Sequence, residues 1–325
     1  MSNKNIGVLT SGGDSPGMNA AIRAVVRSGI YNGYSIFGIK QGYKGLIKGE
    51  IESLTVNSVS NKIKLGGTFL LTARCKDFFT KSGRQLAYDN LKKYDISNLV
   101  VIGGDGSFRG LHTFIDEFDD ILGVGIPGTI DNDLFGTDFT IGFDTAVNTA
   151  LDAIDKIRDT ATSHSRLFIV EVMGRNSGYI ALYTGISGGA EEILIPETDT
   201  DIKKICNKLK VGHQRGKKSS IIVVSEGDEA GHAFEIKKKI EKLVDWDIRI
   251  SVLGHQQRGG NPTAFDRVLA SRLGYEAINA ISKGINDKMI GVVNNKVVLT
   301  PLEKTWMEKK EIDNSFVKMA DILAI

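Results

Sequence analysis

Acidic side chains are crowded into one short segment of this sequence. Residues 126–140, "IPGTIDNDLFGTDFT", contain three aspartates and one asparagine at the end of an apolar run. Asp131 and Asp133 lie two positions apart, so both carboxylates point to the same side of an extended chain. A magnesium–nucleotide would relieve their repulsion, and a carboxylate beside it could accept the proton of an attacking hydroxyl. A solvated acidic loop is the alternative interpretation.

A third carboxylate adds to this candidate metal site. Asp105 lies in the glycine turn "GGDGS", directly after the apolar run "LVVI". Magnesium commonly takes one or two carboxylates together with phosphates and water molecules. We therefore expect Asp105 to ligate the metal directly or to lie next to its ligands.

The elements that must position these residues follow an alternating pattern. Apolar runs such as "IGVLT" and "LVVIGG" precede helical patterns along almost the whole chain, as is typical of parallel strands covered on both faces. Three glycine turns, "TSGGDSPG", "GGDGS" and "GT", come directly after strands. Because strand ends and helix N-termini form the ligand crevice of open parallel sheets, these turns predict one polyphosphate site in an α/β fold. Glycine is also common in strand–helix loops that bind nothing.

Composition and charge exclude several classes of protein. The 325 residues are 41% hydrophobic and 25% charged, which is typical of a soluble globular protein of about two domains. A net charge of +2 argues against a nucleic-acid or membrane partner, so locally placed basic residues must bind any anionic ligand. Cys75 and Cys206 lie far apart, outside any disulfide or zinc spacing. With no signal peptide or membrane span in the sequence, we expect a cytoplasmic protein.

Sequence motifs of other enzyme classes are either absent from this chain or lie in the wrong structural context. The chain has no GxxxxGK[ST] phosphate loop. "GVGIPG" at 123–128 matches the dinucleotide fingerprint, but an acidic loop follows where a helix is required. "GISGG" at 185–189 would make Ser187 a hydrolase nucleophile, yet a helical pattern precedes it where a strand is required.

Phosphate chemistry also needs cations, and several arginines follow strands or lie between glycines. "GHQQRGG" at 254–260, with His255 and Arg258 between glycines, is typical of a loop that holds a phosphate or sugar hydroxyls. Each arginine alone could simply be a solvated surface residue. The other candidate arginines are Arg74, Arg166, Arg175 and Arg249. Residues alone thus predict an α/β phosphotransferase with an unknown acceptor.

Seven long segments, in one order over nearly the full length, closely resemble the bacterial 6-phosphofructokinases. These segments are "TSGGDSPGMNAAIR", "GGTFLLTAR", "VVIGGDGS", "PGTIDNDLFGTDFTIGFDTA", "VEVMGRNSGYIAL", "GKKSSIIVVSEG" and "VLGHQQRGGNPTAFDRVLASRLG". The resemblance implies transfer of a phosphoryl group from ATP to fructose 6-phosphate, assisted by Mg²⁺. The alternatives are a sugar-phosphate or nucleotide sensor without activity, and a lipid or nicotinamide-dinucleotide kinase.

Site residues are implied position by position. Asp131 matches the general base for the fructose 1-hydroxyl, Thr129 orients the transferred group, and Arg175 offsets its charge. Asp105 and Asp133 match the magnesium ligands. The positions that match the ATP site are Gly12, Tyr43, Arg74, Gly104, Gly106, Ser107 and Gly110. Those that match the sugar-phosphate site are Thr129, Asp131, Asp133, Arg166, Met173, Gly174, Arg175, Glu226, Arg249, His255 and Arg258. In the family, Arg166 and Arg249 hold the 6-phosphate from a neighbouring subunit of a homotetramer.

The phosphoryl donor can be predicted from two glycines. Relatives that use pyrophosphate carry an aspartate at the position of Gly106 and a lysine at the position of Gly128, side chains that would fill the space of a nucleotide. The glycines predict ATP as the donor.

The resemblance also implies a discontinuous architecture of two three-layer α/β domains with largely parallel sheets, the second inserted in the first. Residues 1–142 plus 257–307 are expected to bind ATP, and residues 143–256 plus 308–325 to bind fructose 6-phosphate. The C-terminal "NSFVKMADILAI" has the pattern of a closing amphipathic helix.

The chain departs from the family pattern at two positions. Phe79 replaces a second basic residue near the donor phosphates, for which Lys76 or Lys81 could substitute, and Val56 replaces an effector-binding arginine. An effector site for ADP or phosphoenolpyruvate at a subunit interface is implied, with control weakened or altered by Val56. Its matching residues are Arg23, Arg27, Arg158, Gly189, Glu191, Arg215, Lys217 and Lys218.

Overall fold

The computed structural model describes residues 5–161, 166–217 and 219–324. The strands are β1 (Asn5–Thr10), β2 (Ser35–Ile39), β3 (Ile51–Leu54), β4 (Ile96–Gly103), β5 (Leu122–Pro127), β6 (Leu167–Val172), β7 (Glu192–Leu194), β8 (Ser220–Ser225), β9 (Ile248–Val252), β10 (Lys288–Val293) and β11 (Lys296–Pro301). The helices are α1 (Met18–Tyr31), α2 (Gly42–Lys48), α3 (Lys81–Lys93), α4 (Asp105–Glu117), α5 (Phe143–Ala161), α6 (Tyr179–Ser187), α7 (Ile202–Gln214), α8 (Ala233–Glu241), α9 (Ala264–Ser282), α10 (Lys304–Met307) and α11 (Asn314–Leu323). Short 3₁₀ turns lie at Asn57–Val59, Asp77–Phe79 and Gly254–Arg258.

The larger sheet has the strand order β11-β10-β5-β4-β1-β2-β3, and its two edge strands pair antiparallel to their neighbours while the interior pairs are parallel. Successive side chains of β4 alternate between the two faces of the sheet. Val100 and Ile102 pack into one core with α1 and α9, whereas Leu99 and Val101 pack into a second core with α3 and α4. Helices therefore cover both faces, which explains why the strand sequences are apolar without interruption.

The smaller sheet has the order β7-β8-β6-β9, and all its pairs are parallel. Ile169 of β6 and Ile222 of β8 lie in a core shared with apolar residues of α7 and α8. Helix α6 packs against β8. Helix α11, which the sequence predicts at the C-terminus, packs against α6. The predicted α/β class with largely parallel sheets is confirmed.

The chain divides into two compact units. Unit 1 comprises Met1–Thr129, Leu134–Asp144 and Arg258–Lys310, and unit 2 comprises Ile130–Asp133, Thr145–Gln257 and Glu311–Ile325. The sequence predicts boundaries after residues 142, 256 and 307, and the units divide after residues 144, 257 and 310. That prediction places residues 130–133 in the first domain, whereas they group with unit 2. None of the helices in the described residues is long and apolar enough to cross a membrane.

Candidate active site

Unit 1 brings the glycine turns after β1, β4 and β5 together at one edge of the larger sheet. The Ser11 amide donates a hydrogen bond to the Ile102 carbonyl, and the Gly128 amide to the Gly103 carbonyl, each 3.0 Å long. A Cβ atom on Gly103 would lie 2.6 Å from the Ser11 carbonyl oxygen. Glycine is therefore required at position 103 so that the turns can approach each other so closely.

Helix α4 begins inside this group of turns. Its first residue is Asp105, preceded by Gly104, and no side chain caps the free backbone amides of this end. The Tyr43 hydroxyl donates a 2.6 Å hydrogen bond to the Ser107 carbonyl, and burial raises the pKa of Tyr43 above its usual range, so the phenol stays a donor. A Cβ on Gly110 would lie 3.0 Å from the Tyr43 ring. The first amides of a helix have no acceptor within it, so an anion at this end would find N–H donors.

The two glycines of the donor prediction lie in different surroundings. A Cβ on Gly106 would meet no atom within 4 Å, whereas one on Gly128 would lie 3.0 Å from Ile102 and 3.1 Å from Met18. A side chain at 106 would therefore enter open space, and one at 128 would press on buried neighbours.

The other residues predicted for this part of the site also belong to unit 1. Gly12 has a left-handed φ of +86°, and its Cβ position lies 3.4 Å from the Ser107 hydroxyl. The Thr129 carbonyl accepts a 2.6 Å hydrogen bond from the Thr140 hydroxyl. Arg74 is exposed, and Phe79 is 82% exposed.

Asp131 lies in unit 2, where its side chain is only 4% exposed. The Nε of Arg175 lies 3.6 Å from the Asp131 Oδ2, and the Ser177 hydroxyl donates a 2.9 Å hydrogen bond to the Asp131 carbonyl. Arg175 itself has a left-handed φ of 53° and a side chain that is 59% exposed. A buried carboxylate thus stands beside a cation that solvent and ligands can reach.

The turn that carries Arg175 is fixed by backbone hydrogen bonds. The Glu226 Oε1 accepts the Arg175 amide at 2.9 Å, and the Gln257 Oε1 accepts the Met173 amide at 2.8 Å. Gly174 has a φ of 146°, and a Cβ there would lie 2.3 Å from the Ser177 carbonyl oxygen. The predicted residues Met173, Gly174, Arg175 and Glu226 are therefore brought together.

The predicted phosphate-binding arginines of unit 2 share one carboxylate. Arg166 Nε lies 2.7 Å from Asp247 Oδ2, and Arg249 Nε lies 2.8 Å from Asp247 Oδ1. Hydrogen bonds from Arg249 and then Arg166 lower the pKa of Asp247. His255 is exposed in unit 2, whereas Arg258 belongs to unit 1, where its Nη1 donates to the Asp14 carbonyl at 3.3 Å.

The predicted magnesium ligands are divided between the units. Asp105 of unit 1 is about half exposed, with 47% of its side chain accessible, and Asp133 of unit 2 is exposed. Among the described residues, no three His, Cys, Asp or Glu side chains are grouped to hold a metal. Each carboxylate is accessible to a ligand, and Mg²⁺ commonly takes one or two carboxylates together with phosphates and water.

The predicted effector residues are divided as well. Glu191, Arg215 and Lys217 line a cavity of about 600 Å³ in unit 2, together with Lys204 and Lys208. Glu191 is buried, and the Lys217 Nζ lies 2.8 Å from its Oε1.

Arg158 and Gly189, also in unit 2, contact each other, since the Arg158 Nη2 donates to the Gly189 carbonyl at 2.8 Å. Arg23 and Arg27 lie on α1 of unit 1, where burial and then the charge of Arg27 lower the pKa of Arg23. Lys218 lies outside the described residues.

Sequence reasoning missed three positioning residues. Ser177 and Gln257 lie inside the motifs "MGRNSG" and "GHQQRGG". The site residues predicted from these two motifs are Met173, Gly174, Arg175, His255 and Arg258. Asp247, by contrast, carried no motif that could have identified it. Its role depends on β6 and β9 lying side by side, with Phe168 opposite Arg249.

Known proteins similar to this chain agree with one another. A family model described as phosphofructokinase matches residues 5–281. The ATP-dependent 6-phosphofructokinase of Bacillus licheniformis is 55% identical over 99% of this chain and 100% of the relative, and the ATP-dependent 6-phosphofructokinase 2 of Bacteroides thetaiotaomicron is 53% identical over 99% of each.

Solved structures show the same fold. A structure of phosphofructokinase from Saccharomyces cerevisiae matches 99% of this chain and 48% of that chain, with a TM-score of 0.90 and 36% identity. A pyrophosphate-dependent phosphofructokinase from Marinobacter aquaeolei matches 96% of this chain and 86% of that chain, with a TM-score of 0.85 and 22% identity. The chain belongs to the phosphofructokinase family.

Proposed function

We propose that this chain is an ATP-dependent 6-phosphofructokinase that forms fructose 1,6-bisphosphate and ADP from fructose 6-phosphate and ATP in glycolysis. The 55% identity to the Bacillus licheniformis enzyme over nearly the full length of both chains supports this activity. The observation that carries the mechanism is the buried Asp131 carboxylate with the accessible Arg175 guanidinium 3.6 Å away.

Asp131 acts as the general base of the transfer. It accepts the proton of the fructose 1-hydroxyl while that oxygen forms a bond to the γ-phosphorus of ATP and the bond from phosphorus to ADP breaks. Arg175 stabilises the charge on the transferring group, and Thr129 orients it. The fixed turn around Arg175 supports this role because the guanidinium needs no large rearrangement of its backbone.

Unit 1 binds the ATP donor through the amides at the start of α4 and the glycine turns around it. The open space beside Gly106 supports a nucleotide in place of pyrophosphate. Asp105 and Asp133 are the residues that would hold Mg²⁺, which when bound neutralises negative charge on the phosphates.

Unit 2 binds the sugar phosphate. Met173, Gly174, Glu226 and His255 face the sugar, and Arg258 of unit 1 adds a further cation. Arg166 and Arg249 hold the 6-phosphate of a neighbouring subunit in a homotetramer. Their shared contact with Asp247 supports a joint role, since it holds two guanidinium groups next to each other.

The proposal includes regulation and location. ADP or phosphoenolpyruvate binds at a subunit interface to which this chain contributes the basic cavity around Glu191, Arg215 and Lys217, whose size and cations suit a phosphorylated effector. The protein works in the cytoplasm. Val56 is 42% exposed and supplies no charge, so we expect a weaker effector response than in relatives with arginine there.

The first experiment supplies the purified protein with Mg²⁺ and fructose 6-phosphate, together with either ATP or pyrophosphate, and follows fructose 1,6-bisphosphate. We expect product with ATP and none with pyrophosphate. Product with pyrophosphate alone would overturn the donor assignment, and a folded protein that forms no product with either donor would overturn the kinase activity.

A further inference from the structure

A cation that the sequence did not single out lies beside the candidate nucleotide site. Arg109 follows Asp105 by one turn of α4, and long side chains on a helix lean toward its N-terminus. The Arg109 Nη2 lies 3.6 Å from the Asp105 Oδ2, and the centre of its guanidinium lies 5.4 Å from the ring centre of Trp306. An ion pair and a cation–π contact thus hold this guanidinium near the start of α4.

The direction of Arg109 can be derived from the turn of the helix. Each residue rotates by about 100°, so position 106 falls between positions 109 and 110 around the helix axis. A Cβ on Gly106 would meet no atom within 4 Å, whereas one on Gly110 would meet the Tyr43 ring at 3.0 Å. Around the helix axis, the open space beside Gly106 therefore has Arg109 on one side. On its other side is Gly110, which packs against the Tyr43 ring.

We propose that Arg109 is a donor-binding residue whose guanidinium contacts the phosphates of the nucleotide beside Gly106. This inference rests on the proposed function, which places ATP at the start of α4. A guanidinium pairs with two phosphate oxygens at once, and Trp306 limits the conformations of Arg109 before the nucleotide arrives. Phe79 is 82% exposed and adds no positive charge at this site, so a cation such as Arg109 would strengthen the hold on the donor phosphates.

Trp306 provides a binding assay that does not depend on catalysis. The chain has two tryptophans, so in a Trp246→Phe background the emission comes from Trp306, next to Arg109. The titrant is a non-hydrolysable ATP analogue in EDTA, which leaves Asp105 without metal throughout. We expect Arg109→Met to raise the dissociation constant about tenfold or more, and the affinity for adenosine to stay the same.

Arg272→Met is the matched control, because Arg272 is an arginine of unit 1 on helix α9, where its Nη1 donates a hydrogen bond to the Asn295 Oδ1 between β10 and β11. The control is expected to bind the analogue like the parent. Unchanged analogue binding in Arg109→Met would overturn the proposal. An equal loss of analogue and adenosine binding would also overturn it, since it would indicate a structural role.

Kinetics separate this inference from the proposed function. With an active parent enzyme, we expect Arg109→Met to raise the KM for ATP about tenfold and to leave the KM for fructose 6-phosphate unchanged. An unchanged KM for ATP would overturn the role of Arg109 and leave the kinase activity standing. A parent protein that makes no product from ATP would overturn the proposed function, while the Trp306 titration would still decide whether Arg109 contacts the phosphates.

Discussion

Two regions of unit 2 hold charged side chains in opposite ways. Around Asp131, the turn at residues 173–177 is tied down by its backbone, because Glu226 accepts the Arg175 amide and Gln257 accepts the Met173 amide. In the basic cavity, the buried Glu191 carboxylate holds Lys217 through side-chain atoms only. Lys204, Lys208 and Arg215 line the same cavity of about 600 Å³.

This difference separates a site for chemistry from a site for binding charge. A reacting group loses much of its effect when it moves by about 1 Å, so its backbone must be fixed. A phosphorylated effector can be held by flexible cations in several arrangements, at the cost of sensitivity to salt. Substitutions in the fixed turn should therefore change rates more than substitutions in the cavity.

The largest effect is expected at Asp131. Asp131→Asn keeps the shape of the side chain and removes the proton acceptor, so kcat should fall by on the order of 10²-fold or more while both KM values change little. Steady-state kinetics with ATP and fructose 6-phosphate measure this split. Asp116→Asn, on an exposed position of α4, is the control. A kcat equal to that of the parent would remove Asp131 from the mechanism.

A smaller effect is expected when the turn is loosened. Glu226→Ala removes the acceptor of the Arg175 amide, so the turn becomes mobile and the KM for fructose 6-phosphate should rise about tenfold, equivalent to about 1.4 kcal/mol of binding. The KM for ATP, whose predicted contacts lie in unit 1, should stay the same. Glu235→Ala on α8 is the control. Equal changes in both KM values would show that Glu226 supports the whole fold instead of the turn.

A still smaller effect is expected in the cavity. Lys217→Met removes a cation and leaves the buried Glu191 without this ion pair, so the ADP concentration that shifts the rate curve for fructose 6-phosphate should rise severalfold. The exposed Lys203→Met on α7 serves as the control. An effector response identical to that of the parent would argue that ADP does not bind in this cavity.

How much of this comparison could be predicted from the sequence depends on how local each contact is. Asp131, Arg175 and the glycine turns are found by motif, because each belongs to a short segment with one backbone arrangement. Asp247 cannot be found by motif, because it forms ion pairs with Arg166 and Arg249, which come together only when β6 and β9 pair in the folded sheet. The grouping of residues 130–133 with unit 2 has the same origin, since long-range packing decides it.

The smallest expected effect concerns pH and a carboxylate near the cavity. Burial raises the pKa of Glu192 above its usual value of 4.5, although Lys208 Nζ, 3.0 Å away, offsets part of the shift. Folded protein thus binds this proton more tightly than unfolded protein, so its contribution to stability is complete below pH 4.5 and is lost as the pH rises through the folded pKa. The glutamine of Glu192→Gln does not titrate, so the variant does not lose this contribution as the pH rises. The melting temperature of the variant minus that of the parent should therefore increase by a few degrees from acidic to neutral pH.

Thermal melts from pH 4.5 to 7.5 measure this difference between the variant and the parent. Glu241→Gln is a suitable control, because Glu241 forms an exposed ion pair with Lys237 on α8. A difference in melting temperature that stays constant with pH would mean that Glu192 is charged equally in the folded and unfolded states. In that case Lys208 fully offsets the effect of burial on the Glu192 carboxylate.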